Sequence, residues 1–429
     1  MGKYRAYPEY KDSGVEWLGK IPKHWNVCRL KHLIIIRNGQ DYKMVQSDAG
    51  YPVIGSGGQF AFSTQYMYDK PSVLLGRKGT IDKPLYVNEP FWTVDTMYYT
   101  EMRDDVDAKY LYYLAVTIQF DRYSTSTALP SMTQENLGNY FFAVSNEITE
   151  RLLISTFLDH ETAKIDILIE KQQQLIKLLK EKRQAVISHA VTKGLNLDVP
   201  MKDSGVEWLG YIPSEWDIVR LKYIVALTGD KAPQSTEKYV GMENISSKSG
   251  KYIMTKNALP EGVSNSFKKG DVLFGKLRPY LAKSWLAEFS GICSSEFLVL
   301  HSLKVHPKFL NYYMLTDAFI DQVNSSTYGS KMPRASWDFI GLLPVPITTY
   351  KSTEKIANFL GQKTSKIDML LEKQQKVIKL LQERRTSLIS AAVTGKIDIR
   401  NWQAPVTHQA SDHSAYQSHL YRHDFSTAR

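Results

Sequence analysis

An α+β fold follows from three features of the sequence. A 29-residue helical segment occurs twice, a 23-residue opening occurs twice, and the two stretches between them share a layout but little sequence. Together they predict two globular mixed α/β domains separated by two long helices, in a chain with an internal pseudo-two-fold repeat.

The helical segment is KIDILIEKQQQLIKLLKEKRQAVISHAVT at 164–192, which returns as KIDMLLEKQQKVIKLLQERRTSLISAAVT at 366–394 with 19 of 29 positions identical. In the first copy Ile165, Ile169, Gln172, Ile176, Leu179, Arg183, Val186 and Ala190 alternate in steps of four and three. Ile367, Leu371, Gln374, Ile378, Leu381, Arg385, Leu388 and Ala392 repeat that spacing in the second. Such a stripe is the seam of a coiled coil, and each helix has the other as its partner. Leu168, Leu175 and Leu178, with Leu370, Val377 and Leu380, would widen the apolar face. Two ordinary amphipathic helices, each on its own domain, would show the same face. Repetition of the exposed charges speaks against that, because a core helix constrains only what it buries. Gln172, Arg183, Gln374 and Arg385 either set register within the seam or sit as solvated flanks.

The opening KDSGVEWLGKIPKHWNVCRLKHL (11–33) recurs as KDSGVEWLGYIPSEWDIVRLKYI (202–224), with 15 of 23 positions identical. Each copy reads as a turn, a short apolar anchor and a strand. Trp17, Trp25, Trp208 and Trp216 are packing residues in this reading. Residues 34–145 then alternate short β-rich runs with Gly, Pro, Asn and Asp. One helix is expected from Ala108 to Phe120, followed by a polar loop and a closing strand FFAV. Residues 225–347 repeat the plan, with HPKFLNYYMLTDAFIDQV as the helix and PVPI as the closing strand. Residues 401–429 are polar and aperiodic and hold four of the ten histidines, which reads as a disordered tail rather than a metal site.

A chain of 429 residues holds two to four domains. It opens without a signal-sequence pattern, and its longest aliphatic run, Leu33 to Ile36, cannot cross a bilayer. Cys28 and Cys293 are the only cysteines, too few for a disulfide framework or a cysteine-rich zinc site. A cytoplasmic protein with no membrane partner is expected. The net charge of +10 is concentrated, because 164–193 and 366–396 each hold seven Lys/Arg against three Asp/Glu. A basic surface attracts nucleic acid, although solvated helix faces are also often basic.

Catalytic motifs are missing. VIGSGGQF (53–60) has no following helix and reads as a hairpin or sharp turn rather than a dinucleotide fingerprint. GDVLFGK (270–276) resembles a phosphate loop, yet Leu277 stands where a magnesium-binding hydroxyl is needed. HExxH, GxSxG, paired Cys-x-x-Cys and the signature of amino-methyltransferases are absent. No catalytic residue and no metal ligand is assigned, and an ordinary hydrolase, kinase or methyltransferase is not expected.

What remains suits binding. In the first domain the turn after a strand-like run offers Arg77, Lys78 and Thr80, with Lys83 nearby. Its polar loop offers Arg122, Tyr123, Ser124, Gln134 and Asn136. In the second domain the matching turn offers Lys276 and Arg278, with Tyr280 and Lys283 beyond. The loop there offers Asn324, Ser326, Tyr328, Lys331 and Arg334. Arg and Lys address guanine edges, Asn and Gln adenine edges, and hydroxyls phosphates. Any one of these residues alone is as well read as solvated surface; two clusters at comparable places are more persuasive for DNA.

Both repeats, at corresponding places over residues 8–400, make the chain resemble the specificity subunit of Type I restriction–modification systems. The resemblance rests on the two KDSGVEWLGxIPxxW openings and the two KIDxLxEKQQxxIKLLxExRxxxIxxAVT helices. It implies target recognition domains at 20–150 and 212–347, each reading one half of a split DNA sequence. Residues 1–19 and 196–211 are then repeat anchors and linker. Residues 151–195 and 348–397 are spacer helices forming an antiparallel coiled coil, and 398–429 is the tail. The family's partners are double-stranded DNA, modification (methyltransferase) subunits, two of them by expectation, and restriction/translocase subunits. S-adenosylmethionine, ATP and Mg belong to those partners, and no cofactor is expected on this chain. Two other readings stay open: a coiled-coil scaffold with no DNA role, and an enzyme with an unrecognised site.

Overall fold

The computed structural model describes residues 4–122, 130–229, 231–232, 238–255 and 264–404. The chain divides into two compact units, one of residues 1–170 with 379–429 and one of residues 171–378. The division cuts through both long helices, so each unit owns part of each.

In the first unit the repeated opening forms a turn because the Asp12 carboxylate accepts the Gly14 N–H at 2.9 Å. The flanking strands Tyr10–Asp12 and Lys20–Pro22 pair antiparallel. Trp25 then begins a strand, Trp25–Arg29, that pairs antiparallel with Phe141–Ser145, the closing strand. That strand leads straight into the first long helix at Ile148. Glu150 in the first turn is 2% exposed. It accepts the Tyr7 hydroxyl at 2.7 Å, the Trp25 indole N–H at 3.2 Å and the Ser145 hydroxyl, and faces His24 Nε2 at 3.0 Å. One carboxylate thus ties opening, closing strand and long helix together, its lone pairs satisfied as burial requires.

An antiparallel sheet in the order Ile34–Asn38, Met97–Met102, Ser72–Gly76, Leu85–Val87 forms the centre of this unit. Beside it lies a second sheet in which Tyr51–Gly55 and Gly58–Ser63 form a hairpin; this is VIGSGGQF, a turn as expected. The expected helix from Ala108 ends at Ala115 instead of Phe120. Val116, Thr117 and Ile118 are a β-branched run, and the Thr117 hydroxyl donates back to the Leu114 carbonyl at 2.7 Å. The core gathers Trp25, Tyr110, Leu111, Leu114 and Phe142. Phe157 and Leu158 from the first long helix and Ile389, Ala392 and Val393 from the second join it.

The second unit has the same connectivity. Met201–Asp203 pairs with Tyr211–Pro213, and Asp217–Arg220 with Pro344–Ile347. A sheet runs Val225–Thr228, Phe297–Ser302, Val272–Gly275, Ser284–Leu286. The single helix read from 306–323 is two, Pro307–Met314 and Asp317–Ser325. Thr316 breaks it by capping the second, its side chain accepting the Phe319 N–H at 3.4 Å. Trp216, Phe274, Tyr313 and Phe319 share the core with Ile187 and Val191 of the first long helix and Ile356 and Leu360 of the second.

The long helices are Ile148–Lys193 (46 residues) and Tyr350–Val393 (44 residues), each on the order of 65–70 Å at 1.5 Å per residue. Both exceed the repeated segments. The extra turns are the ones buried in the globular cores, where polar residues such as Glu150 and Thr353 interrupt the amphipathic pattern.

The expected seam is the sheltered stripe of each helix. Ile165, Arg183, Ala190, Ile367 and Ala392 are buried. Ile169, Gln172, Ile176, Leu179, Val186, Leu371, Gln374, Ile378, Leu381, Arg385 and Leu388 are half-buried. Leu168, Leu175, Leu178, Leu370, Val377 and Leu380 are exposed and do not widen the covered face. The seam arginines are paired rather than solvated. In the first unit Arg385 donates to Asp166 at 2.9 and 3.3 Å. In the second, Arg183 donates to Asp368 at 2.9 Å and to the carbonyls of Lys248 and Ser249 at 3.3 and 3.4 Å.

Candidate nucleic-acid interface

In the first unit the strand Ser72–Gly76 is wholly buried and delivers the turn 77–80 to the surface. The turn folds tightly because Gly76 lets the Thr80 carbonyl approach, at a place where a Cβ would lie 2.6 Å from that oxygen. Backbone contacts hold it. Arg77 N–H donates to the Thr96 carbonyl at 2.9 Å, Gly79 N–H to Pro130 at 2.9 Å, and Met132 N–H to Arg77 at 3.0 Å. Lys78 bridges Ser131. The strand turn and the end of the polar loop, 51 residues apart in sequence (Gly79 to Pro130), are therefore one ridge.

The second unit builds the same ridge from different residues. After Val272–Gly275, Lys276 N–H donates to the Glu296 carbonyl at 2.9 Å, Arg278 N–H to Pro333 at 2.7 Å, and Ala335 N–H to Lys276 at 3.0 Å. Leu277 bridges Arg334. Lys276 corresponds to Arg77, Leu277 to Lys78 and Arg278 to Gly79. The turn and loop candidates of the sequence reading thus come together in both units.

The individual side chains differ in what they have to spare. Lys78 and Lys83 are exposed. Arg77 is half-buried; it donates to the Asp95 carbonyl at 3.2 Å and lies over the Tyr98 ring at 6.0 Å. Thr80 is half-buried. Arg122 rests on the Trp17 ring at 5.2 Å, near Glu16, away from the ridge contacts just described. Gln134 donates to the Ile36 carbonyl at 2.6 Å, and Asn136 gives its backbone N–H to the capping Thr133 at 3.1 Å, inside the short helix Gln134–Gly138. Tyr123 and Ser124 lie outside the described residues.

In the second unit Arg278, Tyr280, Asn324, Tyr328 and Lys331 are exposed. Lys283 is not: it is half-buried and donates to the Met242 carbonyl at 2.6 Å, and burial pulls its pKa below the ordinary lysine value. Arg334 forks onto Glu296 at 3.0–3.2 Å, and the Ser326 hydroxyl donates to the Val323 carbonyl at 2.8 Å. Two ridge residues escaped the sequence reading. Ser56 in the hairpin has its hydroxyl 3.9 Å from where a Cβ on Gly79 would lie, and Glu296 anchors both Lys276 and Arg334. Neither carries a local signal, because only the fold brings them to the ridge.

Residues 22–178 match the family described as Type I restriction modification DNA specificity domain. That match spans 157 of the 429 residues, from within the first opening to within the first long helix. The chain's curated relatives include the Type I restriction enzyme EcoDI specificity subunit of Escherichia coli, 22% identical over 410 residues, covering 90% of this chain and 91% of that one. The MjaVIII specificity subunit of Methanocaldococcus jannaschii is 21% identical and covers 89% of this chain and 95% of that one. Among solved structures, one from a study of complex assembly and conformational transition of the type I R-M system aligns over 88% of this chain and 99% of that one. Its TM-score is 0.59 at 14% identity, a likeness of fold. Among the described residues, no helix is long and apolar enough to cross a membrane. None of its described His, Cys, Asp or Glu residues form a group of three or more that could hold a metal ion.

Proposed function

We propose that this chain is the non-catalytic, DNA-reading subunit of a Type I restriction–modification complex, located in the cytoplasm. Residues 20–150 and 212–347 are its recognition domains, and each reads one half of a split double-stranded target. The observation that carries this reading is the pair of ridges. One backbone scaffold, with three matching hydrogen bonds and a matching bridge, presents Arg77–Lys78–Gly79 in one unit and Lys276–Leu277–Arg278 in the other. A common frame with different side chains is what two half-sites of different sequence require.

The long helices are the spacer, an antiparallel coiled coil within a pseudo-two-fold repeat. Support comes from the seam arginines, because Asp166–Arg385 and Arg183–Asp368 are one interaction made with the roles of the helices exchanged. The exposed leucines outside the seam leave that coil an apolar face for modification subunits, two per chain, with restriction/translocase subunits joining the assembly. S-adenosylmethionine, ATP and Mg act on those partners. A scaffold without a DNA role would have no use for matched basic ridges.

The test is the methylation pattern of host DNA read by single-molecule sequencing, with and without this chain. A split motif that disappears on deletion is expected. The purified chain should also bind duplex DNA with a steep fall in affinity as salt rises. Unchanged methylation together with salt-independent binding would leave the scaffold reading standing instead.

A further inference from the structure

Arg278 stands where the first unit has glycine. Gly79 has φ +83°, and Arg278 is held at φ +48°, ψ 63°, both left-handed. Each occupies the same station in its ridge, donating its N–H to the carbonyl of a loop proline, Pro130 or Pro333. Glycine takes this conformation without cost, whereas any side chain there crowds the backbone. The second unit accepts the strain. Ala282, 2% exposed, is left-handed as well, at φ +46°. Between these two residues Leu281 N–H donates to Arg278 at 2.9 Å and Ala282 N–H to Pro279 at 2.8 Å. Residues 278–282 are thus a closed knuckle whose floor, Pro279 and Ala282, is buried.

The left-handed backbone serves the ridge, but the arginine side chain that makes it strained serves nothing in the fold. The Arg278 side chain is exposed, and among the described residues its guanidinium has no hydrogen-bond or ion-pair partner. Its neighbours are otherwise engaged, Arg334 by Glu296 and Lys283 by the Met242 carbonyl. Local strain that persists without a structural use marks a site where the side chain itself is needed. The knuckle fixes the direction in which the Cα–Cβ bond leaves the ridge, so the side chain starts from one place and one heading.

We propose that Arg278 is a specificity-determining residue that reads a guanine in one half-site, donating two N–H groups to its N7 and O6 in the major groove. The assignment deepens the function proposed above and rests on it. A planar fork suits that edge, and a good bidentate pair discriminates by roughly 5- to 150-fold against the wrong base. Lysine keeps the charge and loses the fork.

Full-length wild type, Arg278→Gly and Arg278→Lys, each assembled with its modification subunits, would be used to select from a randomised duplex library. Wild type should select a split motif with guanine at a position that the glycine variant no longer distinguishes and the lysine variant distinguishes less sharply, while every other position is retained. The glycine variant should melt at the same or a higher temperature, since it restores the residue the first unit uses. An unchanged motif in both variants overturns the proposal. So does an even loss of affinity over all sequences with a shallower salt slope, which would make Arg278 a phosphate anchor. If wild type selects no split motif, the DNA-reading function fails and this assignment falls with it; the wild-type arm separates the two failures.

Discussion

Replacing Glu150 by alanine should unlatch the first unit at its opening. Four side chains converge on this carboxylate, and two of them, the Trp25 indole and the Tyr7 hydroxyl, belong to residues 0% and 4% exposed. His24 is half-exposed and turns to water; the Ser145 hydroxyl still accepts the Glu147 N–H at 3.1 Å, but its own O–H, in a residue 1% exposed, loses its acceptor. Stranding three buried donors at about 1–3 kcal/mol each, the two hydroxyls being free to rotate, brings the cost to about 3–5 kcal/mol. Glu150→Gln keeps the shape. Its amide oxygen accepts from Trp25 and Ser145 while its NH2 donates to the Tyr7 hydroxyl oxygen, so the cost should be about 1–2 kcal/mol. Hydrogen exchange read by mass spectrometry separates the two units within one molecule. Peptides from 20–29 and 141–157 should lose protection in the alanine variant by about two to three orders of magnitude, at about 1.4 kcal/mol per tenfold. Peptides from 212–220 and 344–360 serve as the internal control and should hold. The reasoning is refuted if alanine costs under about 1 kcal/mol, or if glutamine is as damaging as alanine.

The two seam pairs should differ in worth despite their matching geometry. Arg183 and Asp368 have side chains 9% and 12% exposed, whereas Arg385 and Asp166 are 26% and 50% exposed. A double-mutant cycle with Ala and Asn should give a coupling under about 1 kcal/mol for Arg385–Asp166 and several-fold more for Arg183–Asp368; equal couplings would count against burial as the cause. Removing seven residues from each long helix, 171–177 and 374–380, keeps the seam in phase and shortens each by about 10 Å. The non-specific gap in the methylated motif should then shrink by about three base pairs, and an unchanged gap would sink the spacer role. Burial pushes the Cys28 thiol up to about 11 and that of Cys293 up to about 12. Folding therefore holds the proton, and alkylation of the native chain at pH 8 should be roughly 200-fold or more slower than that of a free thiol, rising tenfold per pH unit; fast labelling of either cysteine would contradict this.

The helices were the most legible part of the chain, because a seam repeated with its outer charges constrains more than a core does. Their first turns were not legible. From Ile148 to Thr162 the helix is buried on several sides, so Glu150, Arg151 and Thr162 sit among Ile154 and Phe157 and erase the stripe. The break at Thr316 was hidden for the converse reason, since Tyr312, Leu315, Phe319 and Ile320 keep a helical period straight across the cap. At the ridges the residue types were readable, but their commitments were not. Nothing local in the sequence says that Arg334 belongs to Glu296, 38 residues away, or that Lys283 spends its charge on a carbonyl. The equivalence of Gly79 and Arg278 emerges only from their shared backbone partners, because the surrounding sequences have little in common.

The first unit also joins the two ends of the described chain. Tyr10 donates its hydroxyl to the Gly395 carbonyl at 3.0 Å, Asp398 gives its N–H to Arg5 at 2.7 Å, and Arg400 lies over the Tyr7 ring at 5.0 Å. The segment after the second long helix thus meets the segment before the first opening, much as residues 193–201 connect the first long helix to the second opening. Within the first unit, then, these two segments are held side by side. A short peptide bridging 404 to 4, with new ends placed between 195 and 200 where Leu197 is 78% exposed, would leave the three contacts just described in place.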